Sequence, residues 1–366
     1  MEATVLPLSW PAHFDPLAHN RFETDARALR YQALGRACRA AGIRSLMVAH
    51  HADDQAETVL MRLANNRLRS GLQAMQPVEW IPECSGVYGV SHSGSYHSNH
   101  NNPRLEHMPF PVEKGGICIL RPLLGFDKAR LIATCEHHGV AWAEDKTNHL
   151  QTYTSRNAIR HVLKNHKLPA ALSIKSLVDV SRNMQTRISM HKDQADRLLE
   201  ECWLQLDLQT GSLRVRFPTF GRLVPTIHRT QRDLTYAKND AVYLLARVGQ
   251  MIAPRETPPL GELAATVENI WPEFSELQDT DPHQATFTGN RENYCIYGIW
   301  WRKLKTPNHN SPEWLLARQP LEHHRPGTPS MNIDYPPSHV LPLTRNRPLA
   351  QMEGCLLYTS PSPRDS

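Results

Sequence analysis

Hydrophobic positions change period several times along the chain, and each change marks an element. Leu46, Met47, Val48 and Ala49 form a short unbroken apolar run, the pattern of a strand buried on both faces. The polar residues His50, His51, Asp53 and Asp54 follow at once. Ala56, Val59, Leu60 and Leu63 then recur at i, i+3, i+4 and i+7, which predicts a helix. Upstream, Ala26, Leu29, Ala33, Ala37 and Ala40 share one face of a helix expected over 24–41 and stopped by Gly42. Its arginines, Arg27, Arg30, Arg36 and Arg39, read as a solvated face.

The alternation continues downstream. Ile117 to Leu120 predicts a second apolar strand, and Asp127 is placed to cap a helix whose Leu131, Ile132 and Cys135 face the sheet, with Phe126 and Leu131 as a hydrophobic staple. Gly139 ends that helix, and Val140 to Ala143 reads as a third strand running into the acidic Glu144 and Asp145. Strand, helix, strand repetition predicts an α/β fold: a doubly wound, mostly parallel, Rossmann-like sheet with right-handed crossovers. In such a sheet ligands bind at the carboxyl ends of strands, where His50, His51, Asp53 and Asp54 fall. A plainer account exists for part of the cluster: Asp54 and Glu57 have capping-box spacing, worth about 1 kcal/mol to the helix. It leaves His50, His51 and Asp53 without a task.

Between Glu83 and Arg104 the chain is rich in Ser, Gly, Asn and His, the composition of an insertion, drawn at about 83–115. His92, His97, His100 and His107 invite a metal, but without cysteines or a helical frame a polar loop is the better reading. A helix over 153–167 sets Arg156 and Arg160 four residues apart, hence on one face, a spacing suited to phosphate or to pairing with Glu144 and Asp145. A long amphipathic helix follows over 171–204, striped by Leu177, Val180, Met184, Ile188, Ala195, Leu198 and Leu199. Weaker signals place strands at 213–217 and 294–300 and a helix at 233–250. Trp300, Trp301, Arg302, Lys303 and Lys305 interleave aromatic and basic groups, as a base-stacking surface does and as a half-buried strand end also does. The expected organisation is a catalytic domain over 1–168, a helical connector over 169–205, a small α+β region over 206–320 and a proline-rich disordered tail over 321–366 whose last residues, LLYTSPSPRDS, match nothing before them.

Composition adds little. A net charge of +5 favours a polyanionic partner only mildly. The seven cysteines are scattered without a CxxC pair, which suggests neither a zinc ribbon nor a disulfide framework. No apolar run reaches membrane-spanning length, and the first residues have neither a signal nor a transit pattern, so a cytoplasmic or mitochondrial protein without membrane attachment is expected.

Three ordered blocks carry a resemblance. HHADDQAET with the following RLRSGLQAM, then RPLLGFDKARLIATCEHHGVAWAEDKTN, then YTSRNAIRHVL, resemble the tRNA(Ile)-lysidine synthetases, enzymes of the PP-loop ATP-pyrophosphatase type, over roughly 22–168. The resemblance implies a ligase that uses ATP and Mg2+ to adenylate C2 of the wobble cytidine of an isoleucine tRNA and then attaches L-lysine there. It implies Asp53, Asp54 and Arg156 as catalytic groups, with Asp53 or Asp54 meeting the metal. His50, His51, Glu57, Arg121, Asn157 and Arg160 would hold substrate. Family members carry an SGGxDS phosphate loop upstream of this block, and none of the 49 residues before His50 contains it. The domain is therefore expected to be truncated at its start, by a late beginning or by loss of the ATP site. The alternatives are a metal-dependent phosphohydrolase built on HHADD and a non-catalytic RNA-binding remnant.

Overall fold

The computed structural model describes residues 4–10, 22–91, 116–143, 155–224, 230–253, 258–276, 291–304 and 312–319. The chain divides into two compact units, Met1–Ser189 and Met190–Ser366.

In the first unit, helix α1 (Phe22–Ala40) leads through Gly42, at φ 68°, into strand β1 (Ser45–Met47) and helix α2 (Ala52–Ala64). A 3-10 turn (Arg69–Gln73), strand β2 (Val78–Trp80), strand β3 (Cys118–Leu120), helix α3 (Lys128–His137) and helix α4 (Ser155–Asn165) follow. The sheet order is β1-β3-β2. β1 runs parallel to β3, with Leu46 beside Ile119, and β2 runs antiparallel to it, with Glu79 beside Ile119. The α/β class with a parallel pair at the candidate strand end is as the sequence predicts, and the described sheet is mixed.

Three local expectations are corrected. The buried stripe of α1 is Tyr31, Gly35 and Cys38, not the alanine face. The reason lies in the segment after β2: Cys84 and Val90 are fully buried, and Val90 lies where a Cβ on Gly35 would sit, so glycine lets the two backbones approach. Cys84 and Val90 thus pack into the domain, and residues 92–115, with the histidines of the expected insertion, lie outside the described residues. Val140 to Ala143 is not a strand; it is irregular, with Val140 54% and Trp142 47% exposed. Glu144 and Asp145 lie outside the described residues. Asp127 does cap α3, its Oδ1 accepting from Arg130 N at 2.7 Å, and Leu131, Ile132 and Cys135 are the inward positions, though only half-buried.

Helix α5 (Ile174–Glu200) carries the boundary between the units. Leu177, Ile188, Ala195 and Leu198 of its expected stripe are buried, while Val180 is exposed.

The second unit contains an antiparallel five-stranded sheet, order β4-β5-β8-β7-β6, from strands β4 (Trp203–Asp207), β5 (Ser212–Arg216), β6 (Asn293–Ile296), β7 (Ile299–Leu304) and β8 (Glu313–Arg318). Short helix α6 (Phe220–Leu223), helix α7 (Gln231–Gln250), helix α8 (Leu260–Ile270) and short helix α9 (Glu273–Glu276) complete it. Leu213, Val215, Ile299, Trp314 and Leu316 alternate inward onto Leu244, Leu245 and Leu263 of the helices. The single strand expected over 294–300 is a hairpin. Tyr297 and Gly298 both have positive φ, 63° and 68°, the backbone of a type I′ turn, which a Tyr-Gly pair does not advertise. Trp301 is fully buried against Tyr294 at a stacked 6.0 Å, which removes it from any base-stacking surface.

Candidate active site

Everything at the site follows from the short β1 ending where α2 begins. Val48 N donates to Leu120 O at 2.9 Å, continuing the pairing with β3 past the strand, and Ala52 N donates to Phe126 O at 2.8 Å. The chain between them is held from both sides, with His50 and His51 at its tip.

The helix cap differs from the one the spacing suggested. His51 is the N-cap: its Nδ1 faces Asp54 N at 3.4 Å, and His51 N donates to Asp54 Oδ2 at 3.1 Å. The box is thus His51 with Asp54, not Asp54 with Glu57. That releases Glu57 for another task. It is 3% exposed and faces α4, where its Oε1 accepts from Arg160 Nε at 2.7 Å and its Oε2 from Arg160 Nη2 at 2.9 Å and Arg156 Nε at 3.0 Å. Asp54 Oδ1 lies 3.4 Å from Arg156 Nη2 and 3.8 Å from Arg160 Nη2. Two carboxylates and two guanidinium groups therefore form one charge-balanced cluster. Burial opposes the charge on Arg160, but the hydrogen bond and charge of Glu57 outweigh it and hold the guanidinium pKa above its usual value. Asn157 is half-buried next to Arg156 on the same helix.

Asp53 points elsewhere. Its Oδ2 accepts from Lys128 N at 2.8 Å, at the first turn of α3, and lies 3.6 Å from His51 Nδ1. It lines a cleft of about 710 Å3 with Gly125, Asp127 and the start of α5. His50 completes the strand end. Its Nδ1 is buried without a hydrogen-bond partner. Burial first, and the nearby Arg121 and Arg156 charges with it, push the imidazole down to about pKa 4 against the pull of Asp54, so it is neutral at pH 7.

Arg121, expected to hold substrate, forms a buried strut. It is 2% exposed, and it donates to Gln76 O at 2.7 Å and Glu79 Oε1 at 2.5 Å, tying β3 to β2. Gln55 is the residue sequence reasoning passed over. Its buried amide donates to Met75 O at 2.9 Å and Ser181 Oγ at 2.7 Å and accepts from Met75 N at 3.1 Å, joining α2, the turn after it and α5. That turn holds Asn66, Arg69 and Ala74 at positive φ, a conformation that needs such fixing. Among the described residues no group of three or more His, Cys, Asp or Glu side chains is arranged to hold a metal ion. No helix among them is long and apolar enough to cross a membrane.

Comparison with known proteins agrees with this architecture. Residues 13–167 match the PP-loop domain family. The chain is 34% identical over 216 residues to the probable tRNA(Ile)-lysidine synthase of Schizosaccharomyces pombe, covering 58% of this chain and 41% of that protein. It is 32% identical over 176 residues to the tRNA(Ile)-lysidine synthase of Bradyrhizobium sp., covering 48% and 40%. The corresponding enzyme of Burkholderia mallei is 31% identical over 179 residues, covering 49% and 29%. The matches thus span about two fifths or less of these relatives' length. Residues 13–167 thus carry a match to the PP-loop domain family, and part of the chain is similar to tRNA(Ile)-lysidine synthases.

Proposed function

We propose that this chain attaches L-lysine to C2 of the wobble cytidine of an isoleucine tRNA in an ATP-dependent ligation, with residues 1–168 as the catalytic domain, 169–205 as connector and 206–320 as an accessory α+β region. The observation that carries the reading is the strand-end cluster, in which Asp54 and Glu57 meet Arg156 and Arg160 of α4, with His51 and Asp53 beside them.

The residues present fit a nucleotide and its metal. Mg2+ that travels with phosphates needs only one or two protein carboxylates, which Asp53 or Asp54 would supply. The orphaned His50 Nδ1 fits a hydrogen-bonding group of the bound nucleotide. ATP would supply the adenylyl group that makes the cytidine oxygen a leaving group, with Mg2+ offsetting phosphate charge.

The chain's own residues do the rest. Lysine arrives as an ammonium with an ordinary pKa near 10.4 and must shed a proton to attack. Asp53 orients it and takes that proton as the carbon–nitrogen bond forms. Asp54, committed to His51 N and to both arginines, holds α4 in place. Arg156 and Arg160, balanced by Glu57, position the cluster and reach phosphate only by exchanging partners. The test is pyrophosphate release by the purified full chain. Release that requires both L-lysine and an isoleucine tRNA with a wobble cytidine supports the ligase; tRNA binding with no release under any combination identifies an RNA-binding remnant instead.

A further inference from the structure

Strand β4 is an edge strand, and among the described residues no strand pairs with its outer side. Such an edge presents backbone N–H and C=O groups to any chain able to match them, and proteins usually guard it with lysine, proline, a bulge or a cover. β4 reads Trp203-Leu204-Gln205-Leu206-Asp207, without lysine or proline, and its register with β5 runs unbroken from Trp203 beside Arg216 to Asp207 beside Ser212. Apolar groups stay in the open along it: Trp203 is 39% exposed, Leu206 48% and Leu208 65%. The strand has two faces. Leu204 and Leu206 share the inner face with the buried Leu213 and Val215, whereas Trp203, Gln205 and Asp207 share the outer face with Arg214 and Arg216. Arg214 donates to Glu313 at 2.5 Å. Arg216 lies over the Trp203 ring, its guanidinium carbon 4.2 Å from the centroid, which brings its charge out to the row of β4.

The Leu-Gln-Leu centre of the strand reads alike in both directions, as a twofold axis demands, since there one patch must meet itself. We infer that β4 pairs antiparallel with β4 of a second copy of this chain, Gln205 facing Gln205 across the axis, so that one sheet runs through both molecules. In this register Leu204 of each copy meets Leu206 of the other on the inner face, which covers the half-exposed Leu206 and joins the two cores. On the outer face Asp207 of each copy meets Trp203 of the other, one strand away from Arg216. Hydrogen bonds from Thr210 and from Gln209 N hold the Asp207 carboxyl below the usual carboxylate range, so it brings a full negative charge to that cation. A nucleic-acid strand would use Arg216 and Trp203 but leave Leu206 and Leu208 uncovered, and an apolar peptide would leave Asp207 and Arg216 without a use; a second copy uses both. The surface lies within the second unit, and the inference does not depend on the lysine-attaching reading.

Sedimentation equilibrium of the purified full chain over a wide concentration range tests it. A dimer is expected, and Leu206→Lys should weaken it about tenfold or more, because two ammonium groups then flank the axis. Leu206 is half-exposed, so the variant should keep the circular dichroism and melting temperature of the wild type. Asp207→Asn, which still accepts from Gln209 N, should weaken the dimer about two- to fivefold and flatten its salt dependence. Cysteine variants fix the register. Residues facing each other in an antiparallel pair have Cα atoms about 4.5–5.5 Å apart, within reach of a disulfide. Under an added oxidant Gln205→Cys should therefore cross-link two copies above the wild-type background, whereas Asp207→Cys, roughly 14 Å from its mate, should not. A monomer at every concentration, a dimer untouched by Leu206→Lys, or equal cross-linking at both cysteines overturns the inference. So does a monomer whose tRNA binding falls with Trp203→Ala, which would give this row to nucleic acid instead.

Discussion

Glu57 makes the sharpest claim about what holds the site together. It sits 3% exposed between α2 and α4 and accepts three hydrogen bonds from two guanidinium groups whose side chains are 26% and 30% exposed. Glu57→Gln keeps the shape, removes the negative charge and places an amide NH2 against donors. Removing one partner of a buried ion pair costs about 3–5 kcal/mol, because the other charge is left uncompensated. Here the arginines are partly solvated and Asp54 remains within 3.4–3.8 Å, so screening and a surviving partner reduce that to about 2 kcal/mol. Urea unfolding, followed through hydrogen exchange of α2 and α4 so that the second unit does not mask the transition, measures it. A cycle with Arg160→Met should give a coupling of about 1–2 kcal/mol, and high salt should shrink it only modestly. A loss below about 0.5 kcal/mol with no coupling would refute the reasoning, showing that the arginines are held by something other than Glu57.

Other expectations are independent of that pair. Because His50 is pushed down to about pKa 4 in the folded chain and titrates near 6.5 when unfolded, its neutral form stabilises the fold fully above about pH 6.5, and this contribution is lost as pH falls toward 4. Allowing for partial solvation, on the order of 1–2 kcal/mol should disappear over that window in melts of the wild type and be absent from the His50→Gln profile. Asp53→Asn should lower lysine-dependent turnover by about 10²–10⁴-fold while changing unfolding free energy little, since asparagine still accepts from Lys128 N; turnover within a factor of a few of wild type would remove Asp53 from the chemistry. Gly35→Ala, normally favourable in a helix, should destabilise by about 1–2 kcal/mol because the new methyl meets buried Val90, and Val90→Ala should rescue it; a rise in melting temperature for the single variant would deny the close approach.

The elements around the site were legible because strand ends and helix starts announce themselves in short-range patterns: the apolar run before His50, the 3.6-residue spacing after it, Asp127 as a cap. What was not legible depends on contacts distant in sequence. The buried stripe of α1 is set by Val90 and Cys84, more than 45 positions away, and only the glycine in mid-helix hints at it. Gln55 reads as one more polar residue on α2 until Met75 and Ser181 are brought to its amide. Arg121 reads as a cation at a strand end, yet Glu79 and the Gln76 carbonyl draw it inward. The Tyr297–Gly298 turn escaped because the usual Asn-Gly or Asp-Gly signal is missing.

The strand-end acids show how far adjacency in sequence is from equivalence in space. Successive residues of an α-helix point about 100° apart, so Asp53 and Asp54 face different helices even though both lie near the His51 ring. Asp54 falls on the side of α4, where His51 N and two arginines claim it, and Asp53 falls on the side of α3, where one backbone amide does. A carboxylate surrounded by guanidinium groups binds a further cation poorly, because its charge is already balanced; one fixed by a single amide keeps most of its attraction for an incoming ammonium or metal. The capping assignment matters for the same reason. Had Asp54 and Glu57 formed the box, Glu57 would be drawn to the N-terminus of α2 and the arginines would face solvent as a phosphate clamp. With His51 as the cap, Glu57 is free to bind them, and α4 is locked to the strand end by charge balance, leaving Asp53 as the acid that faces the cleft.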